Sequence, residues 1–132
     1  MPKSSPGGEE VFRLNCGAVG WDLTDPRSNL WLQDEAYSAN TRWGFINGTA
    51  SDAGGGVVIS TDIPEVYRTH RFGGTDMKYR VDLPNGQYDV TLLFAETYWT
   101  SSGARVFDVA LQGTKVLDHL DVFNQAGGQN RP

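Results

Sequence analysis

An all-β sandwich is the fold class this sequence predicts, on three observations. Apolar residues recur at every second position, short apolar runs are separated by Gly, Asn and Pro turns, and no stretch holds a 3.6-residue period over three turns. A single domain is expected, because 132 residues with 39% hydrophobic and 11% aromatic content bury about two-thirds of their unfolded surface around one core.

Residues 1–10 are rich in Pro, Gly, Ser and Glu and read as a flexible tail, with the folded part starting near Val11. "EVFRLNCG" reads as a strand, "NLWLQDEAY" as a short strand or turn, and "WGFINGTASDAGGGVVIS" as a long Gly-rich excursion. "TDIPEVYRTHRFG" either carries one helical turn after Pro64 or stays irregular. In "MKYRVDL" Met77, Tyr79, Val81 and Leu83 alternate with Lys78, Arg80 and Asp82, and "PNG" at 84–86 supplies a hairpin turn. "QYDVTLLF" then places Tyr88, Val90, Leu92 and Phe94 on one face, a half-buried strand. Beyond the polar loop "TSSGAR", Phe107, Val109 and Leu111 share a face. Gln112 and Gly113 turn the chain into "TKVLDHLDVF", completing a β-meander. The expected core is Tyr88, Val90, Leu92, Phe94, Phe107, Val109 and Leu111. Residues 129–132 read as a second tail, and no internal repeat is visible.

Charge narrows the function classes. Sixteen acidic against 11 basic residues give a net charge of −5, and no two Lys or Arg are adjacent, so neither nucleic acid nor an anionic membrane is an expected partner. No apolar stretch reaches the length of a membrane span, and "MPKSSPGGEE" carries no apolar core of the signal-peptide kind. Cys16 is the single cysteine, which excludes an internal disulfide and a cysteine-rich metal site. It reads as a small buried residue. His70 and His119 lack the spacing of a metal pair, and no cofactor is expected. Asp22, Asp25 and Asn29 in "DLTDPRSN" fit either a structural Ca²⁺ loop or Asx turns. Glu96 is the best-placed carboxylate for hydrolysis. It shares parity with Phe94 and Tyr98, however, and reads as a hydrogen-bond acceptor inside the fold.

The adjacent Tyr98 and Trp99 stand out. In a continuing strand they would face opposite sides, so at least one large ring is exposed beside a loop too small and polar to cover it. Either Trp99 folds back as a lid on the core rim, or the rings form a platform. Such platforms suit sugars, whose C–H faces pack on aromatic rings while a few polar groups hold the hydroxyls. "VYRTHRF" supplies a second aromatic and basic cluster, with Tyr67, Arg68, His70, Arg71 and Phe72.

"FRLNCG", "VYRTHRFG", "YDVTLLFAETYW" and "RVFDVALQGTKVLDHLDVFNQAGG" follow one another in the order and approximate spacing of malectin and malectin-like domains. The chain resembles that family over residues 11–128, most strongly from Tyr79 to Gly128. The resemblance implies a jelly-roll β-sandwich of the galactose-binding type, without catalytic activity, that binds glucose-containing oligosaccharides outside the cell or in the secretory lumen. It places sugar contacts on Tyr98 and Trp99 and on Tyr67, with Phe72 in place of a further tyrosine; Trp43 is a candidate in a segment that does not align with the family, and Arg68 and Arg71, with nearby backbone groups, are expected to hold the hydroxyls. Family members continue through additional strands, so the domain is expected to be incomplete, partnered by other domains of a longer chain or by a second copy. The alternative class is a protein-interaction module of a receptor ectodomain or multidomain enzyme.

Overall fold

A computed structural model describes residues 12–53, 56–74 and 77–132. The tail over 1–10, the start at Val11 and the glycines Gly54 and Gly55 of the excursion lie outside the described residues. The secondary structure is mostly strand, and every ladder is antiparallel and two-stranded. The all-β class is therefore what the structure shows. The chain divides into two compact units. One runs to Asp52 and resumes over Thr69–Thr91; the other comprises Ala53–Arg68 and Leu92–Pro132.

Three ladders build the first unit. β1 (Leu23–Thr24) pairs with β2 (Leu30–Trp31), β3 (Trp43–Ile46) with β6 (Lys78–Val81), and β4 (Thr49–Asp52) with β5 (Thr69–Phe72). The β1–β2 connection is closed by Asp25. Its carboxylate accepts from the backbone N–H of Arg27 and Asn29, both at 2.9 Å, from Asn29 Nδ2 at 3.1 Å and from Trp31 Nε1 at 3.0 Å. With both oxygens satisfied, this is an Asx turn, which decides against the Ca²⁺ reading. Two glycines are required by close backbone approach. A Cβ on Gly17 (φ +82°) would stand 2.2 Å from the His70 carbonyl oxygen, and one on Gly44 (φ +140°) 2.3 Å from that of Glu35.

The centre of this unit is partly polar. Ala18 and Trp43 are buried, and Phe12 meets the Trp43 ring edge-on at 5.4 Å. Asn15 is buried beside them and accepts from Thr69 Oγ1 at 3.2 Å. Asp34 accepts from Gly17 N at 2.7 Å, from Arg71 Nε at 2.8 Å and from the Tyr79 hydroxyl at 3.1 Å. Arg71 also donates through Nη1 to the Gly48 carbonyl and lies 3.4 Å over the Phe45 ring. Burial pushes the Tyr79 phenol far above its usual range, which keeps it a donor to Asp34.

The second unit holds α1 (Pro64–Arg68), β7 (Phe107–Leu111), β8 (Thr114–Leu120) and α2 (Val122–Ala126). Proline at the first position of α1 gives up no hydrogen bond, so the helical turn after Pro64 forms, burying Val66. β7 and β8 form the expected hairpin. Gln112 (φ 50°) and Gly113 (φ 79°) both take positive φ, as a tight two-residue turn between twisted strands requires. Helix α2 was not expected from the periodicity. It is set by its caps: Asp121 accepts from Asn124 N, and Gly127 in the left-handed conformation closes the other end.

The meander is corrected in part. "MKYRVDL" does form a strand, but its partner is β3, with Phe45 opposite Tyr79. Residues 87–94 join no ladder among the described residues. Tyr88 instead folds back, its hydroxyl donating to the Pro84 carbonyl at 2.7 Å. Of the expected core, Phe94 and Phe107 pack edge to face at 5.4 Å, and Tyr88 and Val109 are half-buried. Val90, Leu92 and Leu111 are exposed, Val90 by 57%. Alternation marks a face capable of burial, but burial needs a surface packed against it. Among its described residues, "EVFRLNCG" yields a bridge, Leu14 to Leu32, in place of a strand.

Candidate functional site

The aromatic pair is built on Glu96. This side chain is 3% exposed, and its Oε2 accepts from the backbone N–H of Tyr98 at 3.1 Å and of Trp99 at 3.3 Å. Oε1 pairs with Arg105 Nε at 3.2 Å. A buried carboxylate satisfied by two amides and a guanidinium is stable where a bare one would not be. Its use of both oxygens is the internal acceptor role read from parity.

Curling two successive amides onto one carboxylate bends the chain out of its strand path. The rings of Tyr98 and Trp99 consequently do not diverge to opposite faces. They meet edge-on, with centroids 4.8 Å apart and planes at 88°. Both are exposed, Tyr98 by 67% and Trp99 by 42%. Trp99 is therefore no buried lid.

The segment after α2 braces the same loop. Gln129 Nε2 donates to the carbonyls of Thr97 at 3.1 Å and Tyr98 at 3.3 Å, and Asn130 N donates to the Glu96 carbonyl at 2.8 Å. Asp121, besides capping α2, accepts from Gly103 N, and Ser102 Oγ bonds Asn124 Oδ1 at 3.3 Å. Of the residues that shape the site, Glu96 is read in the sequence as an internal acceptor, whereas Arg105, Asp121 and Gln129 are not singled out there; an Asp-x-x-Asn cap pattern signals Asp121.

The other expected contacts separate by unit. Tyr67 and Arg68 lie on α1 in the second unit. Tyr67 is half-buried, with its phenol pKa raised by burial, and makes no ring contact with Tyr98 or Trp99 among the described residues. Arg68 is half-exposed at its guanidinium and pairs with Glu65 at 3.6 Å. Trp43, Arg71 and Phe72 belong to the first unit. Phe72 is exposed at the end of β5, its ring 6.0 Å from that of His70. Trp43 and Arg71 need correcting. Trp43 is 8% exposed in the core and presents no ring face to a ligand, and the Arg71 side chain is 5% exposed with its donors turned to Asp34 and Gly48. Both are structural because the first unit buries its centre around them.

One cluster of side chains has the composition of a metal site: Asp108, Asp118 and His119 on the β7–β8 hairpin. Lys115 Nζ already neutralises it, 3.0 Å from Asp108 and 3.1 Å from Asp118. The His119 amide and this ammonium lower the Asp108 carboxyl to about 2. No described helix is long and apolar enough to cross a membrane.

Comparison with known proteins matches residues 10–132 to the malectin domain. Malectin of Mus musculus is 38% identical over 125 residues, covering 84% of this chain and 42% of that protein. Malectin of Homo sapiens is 38% identical over 126 residues, covering 85% and 42%. A probable LRR receptor-like serine/threonine-protein kinase of Arabidopsis thaliana is 31% identical over 114 residues, 80% of this chain but 10% of the kinase. The chain thus spans well under half the length of these relatives. The crystal structure of Bacteroides uniformis β-glucuronidase superimposes with a TM-score of 0.74 at 24% identity, over 91% of this chain and 14% of the enzyme, a likeness of fold alone. On the match across residues 10–132 and the identity to the malectins, the chain belongs to the malectin domain family.

Proposed function

We propose that this malectin domain is a non-catalytic carbohydrate-binding module for glucose-containing or related oligosaccharides, with Tyr98 and Trp99 as its stacking platform. The observation that carries the proposal is the exposed, edge-on ring pair fixed from beneath by a buried carboxylate. Rings held before the ligand arrives lose little freedom on binding. Tyr67 and Arg68, in the same unit, are the further contacts proposed. The absence of catalysis is supported by Glu96, whose oxygens are occupied by two amides and a guanidinium and are not poised to move a proton.

A disaccharide of about 23 heavy atoms at roughly −0.3 kcal/mol per atom binds near −7 kcal/mol, a Kd of about 10 μM. Calorimetric titration with maltose-type and cellobiose-type ligands tests this. Binding without added metal that is lost in Trp99→Ala and Tyr98→Ala supports the assignment. Unchanged affinity in both folded variants removes it. Replacing Trp21, an exposed tryptophan of the first unit beside a shallow depression lined by Val19, Ser51 and Asp52, is the control and leaves affinity intact.

The extracellular or secretory-lumen setting implied by the resemblance is part of the same proposal. A second reading concerns another surface. Leu93, Val106, Leu111, Val116 and Leu117 of the second unit are all exposed, and burying such side chains against another surface would stabilise the unit. That supports coverage by further protein, either other parts of a longer chain or a second copy. Light scattering at rising concentration separates this from a solvated monomer.

A further inference from the structure

We propose that Arg105 is a ligand-binding residue of the aromatic site, offering its outer guanidinium N–H groups to two neighbouring hydroxyls of a neutral sugar. The inference rests on the reading of Tyr98 and Trp99 as the sugar platform. One carboxylate joins the three residues: Glu96 holds the Tyr98 and Trp99 amides with Oε2 and Arg105 Nε with Oε1. The guanidinium therefore stands one carboxylate away from the backbone that carries both rings.

Arg105 Nε stands 3.2 Å from Glu96 Oε1 as an ion pair, the contact that ties the guanidinium to the acid. The Arg105 side chain is 31% exposed while the Glu96 side chain beneath it is 2% exposed. The outer N–H groups of this partly exposed side chain form a planar fork that a ligand can reach. A fork of this kind matches two oxygens about as far apart as those of vicinal hydroxyls or of a carboxylate. Charge decides between them. Glu96 already balances Arg105, and a uronate would bring a second carboxylate onto the same guanidinium in a chain of net charge −5. Neutral hydroxyls incur no such repulsion. Rings beneath the sugar face and a fork at its edge fix the ligand in two directions, which stacking alone does not.

The test uses the whole chain and three arms. Arg105→Lys preserves the charge facing Glu96 but loses the fork. It is expected to leave hydrogen exchange of the Tyr98 and Trp99 amides as in the wild type while weakening maltose or cellobiose binding about tenfold. Deoxy-disaccharides lacking one of the paired hydroxyls should bind the wild type more weakly and R105K no more weakly than the parent sugar, a pattern that a purely supporting role would not produce. In the wild type, the Arg105 Nη–H resonances should shift during sugar titration. Wild-type affinity in R105K, or unmoved Nη–H resonances while Trp99 responds, overturns the role of Arg105 and leaves the platform standing. No binding of any neutral disaccharide by the wild type overturns both, and tenfold tighter binding of a uronate-containing disaccharide overturns the neutral ligand class.

Discussion

Two carboxylate–arginine pairs, one in each unit, show how the same chemistry serves different ends. In the first unit Asp34 and Arg71 meet at 2.8 Å with side chains 0% and 5% exposed, the guanidinium roofed by Phe45 and a second donor given to Gly48. In the second, Glu96 and Arg105 meet at 3.2 Å with side chains 2% and 31% exposed. Each acid is sealed and takes an arginine, Asp34 adding one backbone amide and the Tyr79 hydroxyl, Glu96 two backbone amides. The difference lies in the cation. Closed over by protein, it becomes part of the core; left open, it remains available to something outside. Residue type alone does not separate the two cases, and both arginines follow an aromatic-rich stretch in the sequence.

The largest expected effect breaks the sealed pair. Asp34→Ala leaves Arg71 buried without its counter-charge and orphans Gly17 N and the Tyr79 hydroxyl, a loss of about 3–5 kcal/mol in urea unfolding. Cys16, expected to be buried, is half-buried beside this pair and reports on the same region. Burial pushes its thiol up to about 11, so alkylation at pH 8 should run about a hundredfold slower than for an ordinary thiol near 8.5, for want of thiolate. Reaction at the free-thiol rate would show the interior to be open.

The open site should respond in affinity and not in stability. Trp99→Ala is expected to cost about 2 kcal/mol of sugar binding, roughly thirtyfold, with the unfolding midpoint little moved. Smaller again is Leu92→Ala. Its strand-like parity suggests a core residue whose removal costs about 2–5 kcal/mol, but a side chain 42% exposed should cost under about 1 kcal/mol. A core-sized loss would mean that further protein covers it in solution. The mildest test is acid. Hydrogen bonds, first from Trp31 and then from the Asn29 and Arg27 segment, hold the Asp25 carboxyl at about 2, below its ordinary 3.8. The fold thus favours the ionised form. Its contribution is whole above about pH 4 and is lost as pH falls through about 2, a dependence that Asp25→Asn should remove from an acid titration followed by circular dichroism.

Legibility in the sequence followed the range of the interactions. Two local signals read correctly, Gln112–Gly113 closing a hairpin and Tyr98 with Trp99 too large for their loop to cover, while the segment after Pro64, left open between helical turn and irregular chain, forms the helix. Pairing across the chain did not read correctly. The alternation in 77–83 and 87–94 is real, but nothing in either run says that the first pairs with β3, in a register from Trp43↔Val81 to Ile46↔Lys78, or that the second joins no described ladder. Trp43 and Arg71 were expected at a ligand because both types suit one, and burial alone reassigns them. Gln129 and Asn130 were read as tail, yet they hold the aromatic loop through backbone groups that no side-chain pattern announces.

Those last contacts also set an order of events during synthesis. The first unit is made of residues up to Asp52 and Thr69–Thr91, so all its parts exist once Thr91 has left the ribosome. The aromatic loop is translated soon after but has no brace yet. Its amides can find Glu96 at once, since the carboxylate acceptor and its N–H donors are two and three residues apart, whereas Gln129 and Asn130 arrive about thirty residues later. For that interval Tyr98 and Trp99 hang on a single carboxylate, and a nascent chain stalled between Trp99 and Gln129 would display the platform while it was still able to rearrange.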